Sequence, residues 1–132
     1  MTSGQQPIRS SVRERTWRNV VNDETVWELT VHRDGRSARL ATVGDLDLDS
    51  APKLLTEVAG QLEAGVRELV IDLAGLVFID SSGLGTLVGC WRRAQQAGAT
   101  LIVANPGPDV SMTLEITGLD QILPIRHEKQ TA

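Results

Sequence analysis

The sequence predicts an α/β layered domain: a mostly parallel sheet of about five strands, with an N-terminal hairpin and helices packed on it. Three observations lead there. Asp34-Gly35 separates two alternating apolar stretches, as in a β-hairpin. Beyond it, runs rich in β-branched residues alternate with segments of helical period, the pattern of right-handed β-α-β crossovers. Finally, the apolar run from Leu69 ends in Ile79-Asp80-Ser81-Ser82-Gly83-Leu84-Gly85, and from Leu84 the apolar residues recur at three- and four-residue steps. That heptapeptide marks a strand passing into a helix N-terminus.

Taken in order, residues 1–24 read as a mobile basic arm, polar and scattered with arginines. Its one large apolar side chain, Trp17, either rests on the domain edge or docks specifically. Residues 25–126 form the domain. Trp27, Leu29 and Val31 alternate with Val26, Glu28, Thr30 and His32 as a first strand, and Ser37 to Val43 returns with Ala38, Leu40 and Thr42 on one face. Gly44-Asp45-Leu46-Asp47 is a connecting loop. Asp49 or Ser50 caps the next helix, with Pro52 in its first turn, where a missing N–H is harmless. Leu54, Leu55, Val58 and Leu62 give that helix its inner face, and Gly65 ends it. Val66 to Leu73 is nearly all apolar, as expected of a central parallel strand. The second helix runs from the Asp80-Ser81 junction to about Ala97, where Gly98 stops it. Thr100 to Ala104 is a strand, Pro108 to Ile116 a short helix, and Gln121 to Ile125 an edge strand, because Pro124 cannot donate to a ladder. Residues 127–132 are a charged tail.

With 132 residues the chain has room for one core, and 41% hydrophobic against 23% charged residues suits a globular domain. The net charge of −4 disfavours nucleic acid as a partner. Four arginines against one glutamate give the first twenty residues +3, leaving −7 for the rest. A single cysteine, Cys90, excludes an intrachain disulfide and fits a reducing, cytoplasmic setting. It falls within a helical pattern without a histidine partner, as a packed side chain would. No stretch is long and apolar enough to span a bilayer.

The chemistry available is narrow. A nucleophile elbow needs glycine two residues before its serine, yet Ser81 has Ile79 there and Ser82 has Asp80. His32 and His127 supply no general base at a recognisable spacing. Gly83, Gly85 and Gly89 miss the dinucleotide fingerprint by one residue, and no cluster has metal-ligand spacing. No cofactor, metal or catalytic residue is therefore expected. What remains is an acidic end of the sheet, where Asp45, Asp47 and Asp80 fall in loops after strands, beside Ser81 at a helix start. From the residues alone, Asp80 or Ser81 is either a helix cap or a group that a partner acts on.

The segment from Leu69 to Gly85, with its Asp-Ser-Ser-Gly-Leu-Gly end, resembles the signature of the STAS family, and most closely that of bacterial anti-sigma factor antagonists. Gly44-Asp45-Leu46-Asp47 with Ala51-Pro52 is similar to that family's first loop, and Thr117-Gly118-Leu119 to its last helix end. The resemblance runs from about Thr25 to Ile125. It implies a non-enzymatic regulator whose phosphoacceptor is Ser81, with Ser82 the neighbouring hydroxyl. The implied partners are an anti-sigma factor that is also a serine kinase, bound through Asp45, Asp47, Asp80, Ser82, Gly83 and Leu84, and a phosphatase that reverses the modification. The exposed face of the second helix, with Arg92 and Arg93, would contribute or would simply be solvated. A non-switching scaffold module or a transporter accessory subunit is the alternative. The chain departs from the family pattern in having Asp45 where glutamate is commoner, no basic residues in Ser111-Met112-Thr113, and a longer N-terminal arm.

Overall fold

Alternation builds the first half of the domain. In the computed structural model, which describes residues 12–128, strands β2 (Glu24–Asp34) and β3 (Ser37–Leu46) form the expected antiparallel hairpin. Asp34 pairs with Ser37, so its loop residues are Gly35 and Arg36, one position later than Asp34-Gly35. Trp27, Leu29 and Val31 alternate inward with Ala38, Leu40 and Thr42. The Trp27 indole N–H donates to Thr42 Oγ1 at 2.6 Å, which satisfies both polar groups inside the core.

The parallel half follows through α1 (Ala51–Glu63), β4 (Glu68–Ile79), α2 (Ser81–Gln96), β5 (Thr100–Ala104), α3 (Pro108–Ile116) and β6 (Ile125–Arg126). β3, β4, β5 and β6 pair in parallel in that order. One apolar cluster joins the inner faces of β2 to β5 to Leu54 and Val58 of α1, Leu87, Cys90 and Ala94 of α2, and Val110 and Leu114 of α3. Burial of each such large side chain stabilises the fold by about 1.5–3 kcal/mol.

Three expectations need correction. Residues 12–21 are not a mobile arm: Val12–Val21 forms a further strand, β1, antiparallel to β2, and makes the sheet six-stranded. Asn22 and Asp23 both adopt positive φ, as a two-residue hairpin turn demands. Trp17 Nε1–H and an Arg15 guanidinium N–H donate to one oxygen of buried Glu57 on α1, at 2.8 and 3.0 Å. Gln61 donates to the other at 2.8 Å, so β1 is tied to the helix layer. Residues 1–11 lie outside the described residues. Second, β4 extends six residues past Leu73, because two bulges, opposite Thr42 and at Val77, carry it round. Third, only Ile125–Arg126 pairs at the far edge, since Leu119–Gln121 coils into a 3-10 turn after Gly118.

The start of the C-terminal tail is anchored to the sheet. Glu128 accepts from Arg39 at 2.5 and 3.1 Å and from Asn105 at 3.0 Å, while Arg39 also donates to Asp72 at 2.7 Å. The Arg39 guanidinium, with help from Asn105, lowers the Glu128 carboxyl from 4.5 to about 2. A carboxyl held low in the folded state stabilises the fold above its unfolded value and ceases to as the pH falls through the folded one. Urea unfolding of wild type and E128Q will therefore differ above about pH 4.5 and converge as the pH approaches about 2.

Candidate functional site

Two strand ends meet at the carboxyl edge of the sheet. Leu46, the last residue of β3, pairs with Ile79, the last of β4, and the Asp80 N–H donates to the Leu46 carbonyl at 3.2 Å. The β3–α1 loop and the start of α2 are thus neighbours. Close approach is a sequence requirement here. A Cβ on Gly83 would stand 2.4 Å from the Leu46 carbonyl oxygen and 2.7 Å from Ile79 Cγ1, so only glycine lets α2 begin at this point. Gly44 (φ +94°) meets the same demand one strand away, where a Cβ would lie 2.3 Å from the Val26 carbonyl oxygen.

Within this frame the two candidate caps separate. Asp80 is the N-cap of α2: its Oδ1 accepts the Gly83 N–H at 2.9 Å, and its carbonyl accepts the Leu84 N–H at 2.9 Å. Ser81, the first helical residue, is exposed, and its hydroxyl has no hydrogen bond among the described residues. Helix geometry leaves the N–H groups of Ser81 and Ser82 without intrahelical acceptors. The macrodipole of a 16-residue helix adds partial positive charge at the same place.

The other acids divide in the same way. Asp47 is a loop brace: its Oδ1 accepts from the N–H groups of Asp49 and Ser50 at 3.0 and 3.2 Å. Ser50 is the N-cap residue of α1 by position, yet its side chain makes no cap bond there. Its buried hydroxyl instead donates to the Asp45 carbonyl at 2.8 Å and accepts the Asp47 N–H at 2.9 Å. The Asp45 carboxylate is half-buried, with no hydrogen bond among the described residues.

Of the residues expected to face a partner, then, Asp45, Ser81 and Ser82 are accessible, while Asp47 and Asp80 are accessible but committed to the backbone. Gly83 is not a surface residue: it is buried beneath Leu46. Leu84 is partly buried and packs on the core. Arg92 and Arg93 are exposed, without ion pairs among the described residues.

Sequence reasoning missed the apolar members of this edge. Leu48 and Val77 are 71% and 72% exposed; Phe78, opposite Asp45 in the register, and Val43, two residues before Asp45, are exposed as well. The signal was a broken alternation, since the bulge at Val77 turns both Val77 and Phe78 outward between buried Leu76 and Ile79. Such an apolar rim around a polar centre is suited to binding a protein.

Catalysis finds no support here. His32 pairs with Arg39, itself opposite Val70 near the start of β4, so it lies at the far end of the sheet from Ser81. Burial pushes the Cys90 thiol up to about 12, which removes it as a nucleophile near neutral pH. Among the described residues no helix is long and apolar enough to cross a membrane.

The six-stranded mixed sheet, with helices on one face and an exposed hydroxyl at the α2 N-terminus, defines a small α/β domain with one helix start open to solvent. The chain belongs to the STAS domain family, whose model matches residues 29–132. Within it the chain is a member of the anti-sigma factor antagonist family, a non-enzymatic group. It is 31% identical over 99 residues to the anti-sigma F factor antagonist of Paenibacillus polymyxa, covering 74% of this chain and 83% of that one. The anti-sigma factor antagonist SpoIIAA in its unphosphorylated form shares the fold with a TM-score of 0.68 at 20% identity, over 77% of this chain and 89% of that one. The phosphorylated form of this Bacillus protein matches with a TM-score of 0.64 at 18% identity, over 77% and 92%.

The close approach predicts a sharp contrast between two glycines of one helix. Gly83→Ala will destabilise the domain by about 1–3 kcal/mol in urea unfolding, since overpacking against backbone cannot relax. Gly85→Ala, whose Cβ meets nothing within 4 Å, will stabilise it by about 0.5–1 kcal/mol.

Proposed function

We propose that this protein is an anti-sigma factor antagonist that works by partner switching. Unphosphorylated, it binds an anti-sigma factor that is also a serine kinase, and so releases the sigma factor for transcription. The kinase transfers the γ-phosphate of ATP to the Ser81 hydroxyl, ADP leaves, and the complex separates. A phosphatase hydrolyses the phosphoserine and restores the binding form. The setting is the cytoplasm, where the transcription machinery is.

The observation that carries this reading is the division of labour at the α2 N-terminus. Asp80 caps the helix, so the neighbouring Ser81 hydroxyl is free, exposed and replaceable. Phosphate there adds nearly two negative charges, which the free N–H groups and the dipole of α2 accommodate within the fold. The likeness to both the unphosphorylated and phosphorylated forms of one relative supports a fold that tolerates such a group.

Across the interface the same charge acts differently. It joins Asp45, Asp47 and Asp80 within a rim of Leu48, Val77 and Phe78 that a partner would desolvate. An unpaired charge so buried costs several kcal/mol, and each 1.4 kcal/mol is about tenfold in affinity. A local electrostatic change is enough to switch partners.

The test is to incubate the protein with ATP and each purified anti-sigma factor kinase encoded in the same genome, then map phosphate by mass spectrometry. One kinase will modify Ser81 and no other residue. Ser81→Asp will weaken that complex by about tenfold or more and leave Tm within a few degrees of wild type. Modification elsewhere, or unfolding of Ser81→Asp, contradicts the reading.

A further inference from the structure

β1 is the outer strand of the sheet, and its free edge has no partner among the described residues. It also lies wholly outside residues 29–132, the part matched by the family model. A ten-residue exposed edge is a template for another strand unless its side chains forbid pairing. Those of β1 do not forbid it; they select one register.

We propose that β1 is a dimer seam, pairing antiparallel with β1 of a second copy of this chain about a twofold axis through Thr16. Consider the antiparallel registers that keep both helix layers on the same side of the joined sheet. Centring on any residue of β1 other than Thr16 places no acid opposite a base. Centring on Thr16 sets Glu14 opposite the partner's Arg18, and Arg18 opposite the partner's Glu14.

The existing pairing of β1 with β2 extends that match. Glu14 Oε2 lies 3.0 Å from His32 Nδ1, and Arg18 donates to Glu28 at 2.7 Å, all on the open face of the sheet. Across the seam the row becomes His32, Glu14, the partner's Arg18 and the partner's Glu28, acids and bases side by side over four strands. Thr16 opposes Thr16 in the row between, flanked on each side by Thr30.

On the helix-side face the same register brings the partner's Trp17 beside Arg15, a guanidinium already 5.6 Å from the centre of its own Trp17 ring. Arg15 is neutralised by Glu57, so it brings no unpaired charge to the seam. Glu14 and Arg18 are largely exposed on the described chain and are available for pairing.

Sedimentation equilibrium of the full chain over a dilution series tests this. Wild type will dimerise. E14R and R18E will each weaken the dimer by about tenfold, because each homodimer sets like charges opposite one another twice. An equimolar mixture of E14R with R18E will recover the dimer, since in the heterodimer both cross-seam pairs are again acid to base. Circular dichroism of each variant, matching wild type, shows that the fold is kept. For the register, T16C will oxidise to a disulfide-linked dimer under conditions where N19C does not. A wild type that stays monomeric overturns the proposal. So does a dimer that survives both reversals, or a mixture no heavier than either variant alone.

Discussion

Everything at the functional edge depends on one hydrogen bond, from the Gly83 N–H to the Asp80 carboxylate. It starts α2 with an aspartate rather than a serine. Because the cap is filled from the preceding residue, the first helical side chain has no structural task. The glycine that donates must also sit against Leu46, where a Cβ would collide with backbone. Position and cap are therefore one constraint, and the free hydroxyl of Ser81 is its consequence. Regulation by a covalent anion needs a site that can gain charge without losing an internal bond. This junction meets that condition.

The acids nearby divide into those that build and those that present. Asp47 and Asp80 hold the loop and the helix start through backbone N–H groups, while Asp45 and Ser81 offer unbonded polar atoms. Acidic residues around the proposed phosphoacceptor are unfavourable on their own if phosphate is to be tolerated. Their arrangement is consistent once these bonds are counted, because two carboxylates are already matched by backbone N–H groups. In the proposed switch, the remaining charge is felt by the partner.

Much of this was legible in the sequence because it is local. Helix α2 declares itself by spacing, the β2–β3 hairpin by alternation, and the strand-to-helix junction by a β-branched run ending in Asp-Ser-Ser-Gly. Which of Asp80 and Ser81 makes the cap was not legible, since both residue types cap helices and only geometry separates them. β1 was hidden for a different reason. Arg13, Glu14, Arg15 and Arg18 disguise an edge strand as a polar arm, and its anchor, Glu57, lies 40 residues from Trp17. Asn22-Asp23, between Val20-Val21 and the Thr25-Val26-Trp27 run, was the available sign of its turn. The bulges of β4 were likewise invisible to a period-two pattern, which is why Val77 and Phe78 were not placed at the site.

The central claim is that the Asp80 cap and the Ser81 hydroxyl are independent. It is tested most directly by backbone amide NMR with phosphoserine installed genetically at position 81, compared with unmodified protein. The account predicts shifts confined to the start of α2 and the β3–α1 loop, with the hydrogen-exchange protection of the Gly83 amide unchanged. Loss of that protection, or shifts spread through the sheet, would contradict it.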